Sequence, residues 1–319
     1  MIEVSGLSKR FGSFTAVRDV SFTVKAGECF ALLGPNGSGK TTTLKCLAGL
    51  AIPSAGTVLV GGNSLFEHPR SARALLSYLP QRIAFHDNLT TREVLAFFCR
   101  LRGLPSERAT ALLDELGFDG FQNKTVGELS GGMAQRLGIA VSLLPDAPVL
   151  LLDEPASGLD PEIAVRFRDM LRSLNRAGKT IVFSSHVLAE VEQLAGRVAV
   201  IVAGRLVAVQ ATSQIESGFS SGARLHICVH NPHSRLLDIA LQAGAADAQL
   251  AHDTVIVSCA PSHRLAVLDA LRAAGAGIQR FFTEEPSLEE VYLRYVNANA
   301  SDPPGNPPGS LRRPSGPAG

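Results

Sequence analysis

Apolar residues follow two rhythms along this chain. From residue 1 to about 215, short unbroken apolar runs alternate with segments of helical period. Residues 28–33 form one such run ahead of a glycine-rich loop, and residues 41–50 read as a helix after it. Residues 149–153 and 180–184 are β-rich runs, each following a helical stretch. A strand apolar at every position is buried on both faces, and strands alternating with helices predict a largely parallel sheet. Nearer the start, residues 3–7, 16–24 and 57–60 alternate polar and apolar, as antiparallel strands with one wet face do. Between about 85 and 145 the period turns helical over 91–102, 106–116 and 133–144. A helical insert is therefore expected to interrupt an α/β domain.

After Ile215 comes SGFSSGA, a small-residue joint. Beyond it the rhythm changes. Strands are expected at 225–230, 248–251, 254–259 and 278–282, with helices at 234–243 and 264–274. The order βαββαβ is that of a ferredoxin-like α+β domain, spanning 220–298. A last helix is expected at 287–296, with Ser287 as N-cap and Glu290 in the capping-box position. Residues 299–319 are rich in Pro and Gly with almost no core formers, and are expected to be disordered.

Composition narrows the classes. The 319 residues are 45% hydrophobic, enough for a full core, and the net charge is only +1. That balance argues against a broad nucleic-acid surface, so no nucleic-acid partner is expected. Five cysteines, none in a C-x-x-C pair, exclude a disulfide framework or zinc ribbon and read as buried apolar residues. The histidines at 226, 230, 233, 252 and 263 lack tight metal spacing and read as surface residues. No run reaches the roughly 18 apolar residues of a membrane span. The chain is expected to be soluble by itself.

The chemistry sits in three stretches. The first, GPNGSGKTT, comprises Gly34, Pro35, Asn36, Gly37, Ser38, Gly39, Lys40, Thr41 and Thr42. It fits G-x-x-x-x-G-K-[ST], the P-loop or Walker A pattern. The glycines let backbone N–H groups curl around phosphate oxygens, and the helix N-terminus adds its positive end. Lys40 supplies a full charge to the β- and γ-phosphates of a nucleotide. The Thr41 hydroxyl can ligate Mg²⁺, and Thr42 can add a phosphate contact. The second stretch, VLLLDEP at 149–155, ends a buried strand in two acids, as a Walker B strand does. Asp153 would hold Mg²⁺, mostly through water, and Glu154 would face the γ-phosphate as general base or water positioner. The third, LSGGMAQR at 129–136, places Ser130, Gly131 and Gly132 at the start of a helix, another anion-binding end.

In this order and spacing the three stretches resemble the ATP-binding cassette (ABC) ATPases, whose signature is L-S-G-G-Q-x-Q-R. The resemblance covers residues 1–215 and implies a P-loop NTPase core. It departs at Met133, where the family usually has Gln or Lys, and that removes one polar partner. It implies that Ser130, Gly131 and Gly132 reach the γ-phosphate bound by a second copy, so each site needs two chains. It further implies that Phe11, in SKRFG, stacks on adenine, with a core role left open because Phe14 sits nearby. Gln81, in YLPQ, would sense Mg²⁺ and the attacking water. Asp160, in SGLD, would cross the dimer seam, and His186, in FSSH, would be the switch histidine on the γ-phosphate.

The resemblance implies an ATP- and Mg²⁺-dependent homodimeric clamp that drives a separate membrane permease. It would lie on the cytoplasmic face of the cell membrane. EEPSLEEVYLRYV, from 284 to 296, resembles the closing motif of ATPases paired with ABC-2-type exporters. Drug, polysaccharide, lipid and nitrous-oxide-reductase maturation systems share that layout, and YLPQRIAFHDNLTTREVLAFF leans towards the last. The alternative is a non-transport ABC ATPase clamping nucleic acid or the ribosome. An importer ATPase differs mainly in its partner. For the permease, the expected seat is the groove beside Gln81 and the helical block after it, where Phe85, Leu89, Phe97 and Phe98 offer apolar surface, unless these phenylalanines, Phe97 and Phe98 above all, fill the core of the insert.

Overall fold

The computed structural model describes residues 1–118, 120–214 and 224–284. The chain divides into two compact units, Met1–Ser221 and Gly222–Gly319.

The first unit opens with two long strands, β1 (Ile2–Phe11) and β2 (Phe14–Val24), paired antiparallel with Ile2 opposite Val24 and Phe11 opposite Phe14. β4 (Ala55–Val60) and the short β5 (Asn63–Ser64) complete a four-stranded sheet in the order β2-β1-β4-β5. Its alternating residues Ile2, Val4, Val58 and Val60 are buried, so one face carries the core, as the polar–apolar alternation requires.

A six-stranded sheet forms the centre. Its strands include β3 (Cys29–Leu33), β6 (Leu76–Leu79), β7 (Val149–Asp153) and β8 (Thr180–Ser185). The others are β9 (Arg197–Val202) and β10 (Arg205–Ala211), and the order is β10-β9-β3-β8-β7-β6. All neighbours are parallel except the β9–β10 hairpin. Every residue of β3, β7 and β8 is buried, which is why those segments read as unbroken apolar runs. Helix α1 (Lys40–Leu47) packs against β7 and β8, and its Leu44 and Leu47 share one core with both sheets. A short helix α2 (Pro69–Ala74) leads into β6.

The insert is three helices, α3 (Thr91–Arg102), α4 (Glu107–Glu115) and α5 (Gly131–Leu143). Thr90 and Glu93 form a reciprocal capping box at the start of α3. The insert has its own core, which includes Leu95, Leu113, Phe118 and Leu137. Two further helices, α6 (Pro161–Arg176) and α7 (Leu188–Leu194), connect β7, β8 and β9.

The second unit runs β11 (Arg224–Val229), α8 (Arg235–Gln242), β12 (Asp247–Ala251), β13 (Thr254–Ser258), α9 (Arg264–Ala273) and β14 (Ile278–Glu284). The antiparallel sheet order β12-β13-β11-β14 is the split-βαβ arrangement that the βαββαβ rhythm predicts. Leu225, Ile227, Val255 and Val257 form its core with Leu236, Val267 and Leu271 of the helices. The helix expected at 287–296, the joint SGFSSGA and the tail 299–319 lie outside the described residues.

All five cysteines are free and buried. Among the described residues, no helix is long and apolar enough to cross a membrane. No group of three or more His, Cys, Asp or Glu among them is placed to hold a metal.

Candidate functional site

The carboxyl ends of β3, β7 and β8 meet at one place, where an open parallel sheet puts its ligands. Three loops converge there. The loop after β3 turns tightly into α1 through Gly39, at φ 103°, a region an L side chain rarely adopts. A Cβ on Gly39 would also lie 2.6 Å from the Ala16 carbonyl oxygen, and one on Gly34 would run into the Ile201 carbonyl. Packing therefore requires both glycines, and torsion requires Gly39 as well.

Lys40 curls back over this loop. Its Nζ donates to the carbonyl oxygens of Gly34, at 2.7 Å, and Pro35, at 3.1 Å. The side chain is only 4% exposed, and burial pulls its pKa below the usual lysine value, against the opposing pull of the Glu154 and Asp153 charges. Its contacts are two carbonyl oxygens and, at the longer distance of 3.7 Å, one Glu154 carboxylate oxygen, which leaves room for an incoming anion to become its closest counter-charge. Ser38 points the same way: its Oγ is buried without a hydrogen-bond partner at the wall of this cleft.

Asp153 closes β7 and is fully buried. Its Oδ1 accepts from Thr41 Oγ1 at 3.0 Å and from Ser184 Oγ at 2.7 Å. Tyr78 Oη approaches Oδ2 at 3.5 Å, a long contact. Burial raises the Asp153 pKa, the Glu154 charge adds to that, and the two hydroxyl donors offset part of it. Glu154 turns the other way. Its backbone sits at φ 47°, rare for a residue with a side chain. Its Oε2 accepts from Gln81 Nε2 at 3.1 Å, and its Oε1 lies 3.7 Å from Lys40 Nζ and 3.4 Å from His186 Nδ1. Glu154 is 8% exposed and His186 44%. One carboxylate thus gathers groups from the loops after β3, β6 and β8.

The cleft has a volume of about 430 Å³. Its walls are Asn36–Thr42, Gln81, Glu154, Ala16 and Phe14. Phe14, not Phe11, lines it, although the hairpin sets the two rings opposite each other. The Phe11 ring lies under Lys9, with Nζ 4.9 Å from its centroid. Ser130, Gly131, Gly132 and Asp160 are not among the lining residues. Ser130 caps α5, its Oγ accepting from Met133 N at 3.3 Å. A Cβ on Gly132 would lie 3.2 Å from the Gly158 carbonyl oxygen, so the SGG turn rests against the loop that ends at Asp160. Asp160 is exposed at the N-cap of α6 without a capping bond from its side chain.

The phenylalanines beside Gln81 offer less surface than their number implied. Phe85, Leu89 and Phe98 pack onto the core of the insert, with the Phe85 and Phe98 ring centroids 6.1 Å apart, while Phe97 is 49% exposed.

Two hydroxyls at the acid pair, Tyr78 and Ser184, carry no motif signal; only strand pairing reveals them. The donor set suits Mg²⁺, since hard carboxylate and hydroxyl oxygens from Asp153 and Thr41 stand side by side. The sign of the Asp153 shift has a consequence. A carboxyl whose pKa is raised in the folded state costs stability once ionised. That cost is absent below the unfolded pKa, grows as pH rises from there to the raised folded pKa, and is complete above it. Asn can keep the oxygen that Thr41 and Ser184 donate to. The nucleotide-free Asp153→Asn chain should therefore melt above wild type at pH 7, with the gap closing in acid. Thermal unfolding across pH checks this, and the extra stabilisation by Mg²⁺ and ATP should shrink in the same variant.

The sequence profile described as ABC transporter matches residues 17–157. The chain is 38% identical over 306 residues to a Nod factor export ATP-binding protein I of Burkholderia lata, covering 94% of this chain and 98% of that one. It is 27% identical to the linearmycin resistance ATP-binding protein of Bacillus subtilis, covering 95% and 100%. Among solved structures, an ATP-binding subunit of an ABC transporter matches at TM-score 0.63 and 29% identity, over 68% of this chain and 92% of that one. A dimeric ATP-binding cassette in a post-hydrolysis state with ADP and Pi matches at TM-score 0.61 and 25% identity, over 66% and 99%. The named relatives are exporter and resistance proteins, which does not favour the clamp on nucleic acid or the ribosome. The chain belongs to the ABC transporter family, as an ATP-binding subunit that hydrolyses ATP.

Proposed function

We propose that this chain is the ATPase half of an exporter, working as a homodimer on a separate membrane permease at the cytoplasmic face of the membrane. The observation that supports it best is the meeting of Lys40, Gln81 and His186 on the Glu154 carboxylate, beside the Thr41–Asp153 pair. The backbone of Gly34–Thr42 receives the ATP phosphates, and Lys40 exchanges its carbonyl partners for the β- and γ-phosphate oxygens. Thr41, Asp153 and Gln81 would hold Mg²⁺, which neutralises phosphate charge when bound. Glu154 accepts a proton from the attacking water, and His186 reports on the γ-phosphate. Phe11 stays assigned to adenine, with Phe14 as a second ring at the same rim.

Ser130, Gly131, Gly132 and Asp160 serve the partner's nucleotide. The exposure of Ser130, Gly131 and Asp160, and the absence of all four from this chain's own cleft, support that assignment. The relatives named for export support export over import, and the cargo is selected by the permease.

The γ-phosphate is the only part of ATP that ADP lacks, so it must carry the closing energy. ATP with Mg²⁺ should convert the full-length Glu154→Gln chain from monomer to dimer in sedimentation velocity, and ADP should not. Equal mass with both nucleotides would overturn the clamp reading.

A further inference from the structure

Glu154 occupies an unfavourable backbone region, and something must hold it there. Its carbonyl accepts from the Ser157 N–H at 3.1 Å within the turn, and its own N–H is held by the Ser184 hydroxyl, fully buried on β8 directly opposite Asp153. Ser184 Oγ accepts from the Glu154 backbone N–H at 2.9 Å and stands 2.7 Å from Asp153 Oδ1. An N–H can only donate, so the serine's lone pair is committed to Glu154 and its single proton to Asp153. One buried hydroxyl therefore ties two adjacent acids whose carboxylates point to different tasks. It is also two residues from His186, whose ring meets the Glu154 carboxylate from the same strand end.

We propose that Ser184 is a positioning residue for ATP hydrolysis, holding the Glu154 backbone in the turn that aims its carboxylate at the attacking water. This rests on Glu154 being the general base. Ser184 does not itself line the cleft and reaches it only through Glu154, so the direct contacts to ATP are expected to survive its loss. Losing the hydroxyl leaves the Glu154 N–H buried and unpaired, and it frees the residue to relax towards ordinary torsions. A small displacement of a catalytic group is enough to lose a large part of its effect.

The test is a mutant cycle on the full-length chain, reading kcat, KM and the Kd for ATP. Ser184→Ala should lower kcat by about tenfold or more, with the Kd for ATP held within about twofold. Ser184→Thr, which keeps the hydroxyl, should recover most of the rate. Adding Ser184→Ala to Glu154→Gln should cost nothing further, because the serine acts through the carboxylate already removed. Independent, multiplying losses in that cycle would overturn the proposal. So would a wild-type rate in Ser184→Ala, or a Kd that worsens in step with kcat. Failure of the underlying reading looks different: Glu154→Gln would itself hydrolyse ATP at close to the wild-type rate.

Discussion

Glu154→Gln is expected to bind ATP and hardly hydrolyse it, with kcat down by roughly 10²–10⁴-fold, the range of a general base. The substitution is nearly isosteric. Gln can still accept from Gln81, whose Nε2 lies 3.1 Å from Oε2, so the loop after β6 keeps its anchor. What disappears is proton affinity at the one carboxylate where three loops meet. Lys40 keeps its two carbonyl acceptors and loses its nearest counter-charge, Oε1 at 3.7 Å. The β- and γ-phosphates then face no competition from Glu154 for that lysine, so ATP should bind at least as tightly as to wild type. A closed dimer that cannot cleave its nucleotide cannot reopen, and it should accumulate. Steady-state phosphate release and ATP affinity, measured side by side, separate this outcome from misfolding. A near-wild-type turnover would remove Glu154 from the general-base role.

Much of this site was legible in the residue order because its parts are local. A phosphate loop is one contiguous turn between a strand and a helix, so Gly34–Thr42 announces itself within nine letters. The two acids end a strand whose burial shows as an unbroken apolar run. The ferredoxin-like order was legible for the same reason, since each strand and helix is short and separately patterned. What stayed hidden is set by pairing across the fold. Ser184 gains its importance from lying opposite Asp153 in the β7–β8 register, and nothing in the letters FSSH states that register. Phe11 and Phe14 face each other across a hairpin, so which ring turns to the cleft depends on strand twist and bulges in β1. Phe85 and Phe98 are large and near Gln81, and the letters do not show that both are half-buried, in mutual edge contact against the insert's core. The signature turn is legible as a helix start, yet the task proposed for it needs a second chain.

That second chain can be tested by complementation. Lys40→Ala should weaken ATP binding by roughly 10–100-fold, the worth of one charge-assisted hydrogen bond of about 1.5–3 kcal/mol. Ser130→Arg should leave ATP binding to the monomer intact, because Ser130 is exposed and outside its own chain's cleft. It should nevertheless stop hydrolysis, since a bulky cation would stand where the partner's γ-phosphate must meet small N–H donors at the start of α5. Each variant alone gives a dimer whose two composite sites are both damaged. A mixed dimer is different. One composite site takes its lysine from the Lys40→Ala chain and its serine from the Ser130→Arg chain, and carries both lesions. The other takes the intact Lys40 of the Ser130→Arg chain and the intact Ser130 of the Lys40→Ala chain, and carries neither. Mixing two inactive preparations should therefore restore hydrolysis in the mixed dimers, with one competent site in each. Differently tagged chains and tandem purification isolate those dimers for assay. Hydrolysis by Ser130→Arg homodimers at the wild-type rate would sink the shared-site reading, because it would show each phosphate loop working without its partner's signature turn.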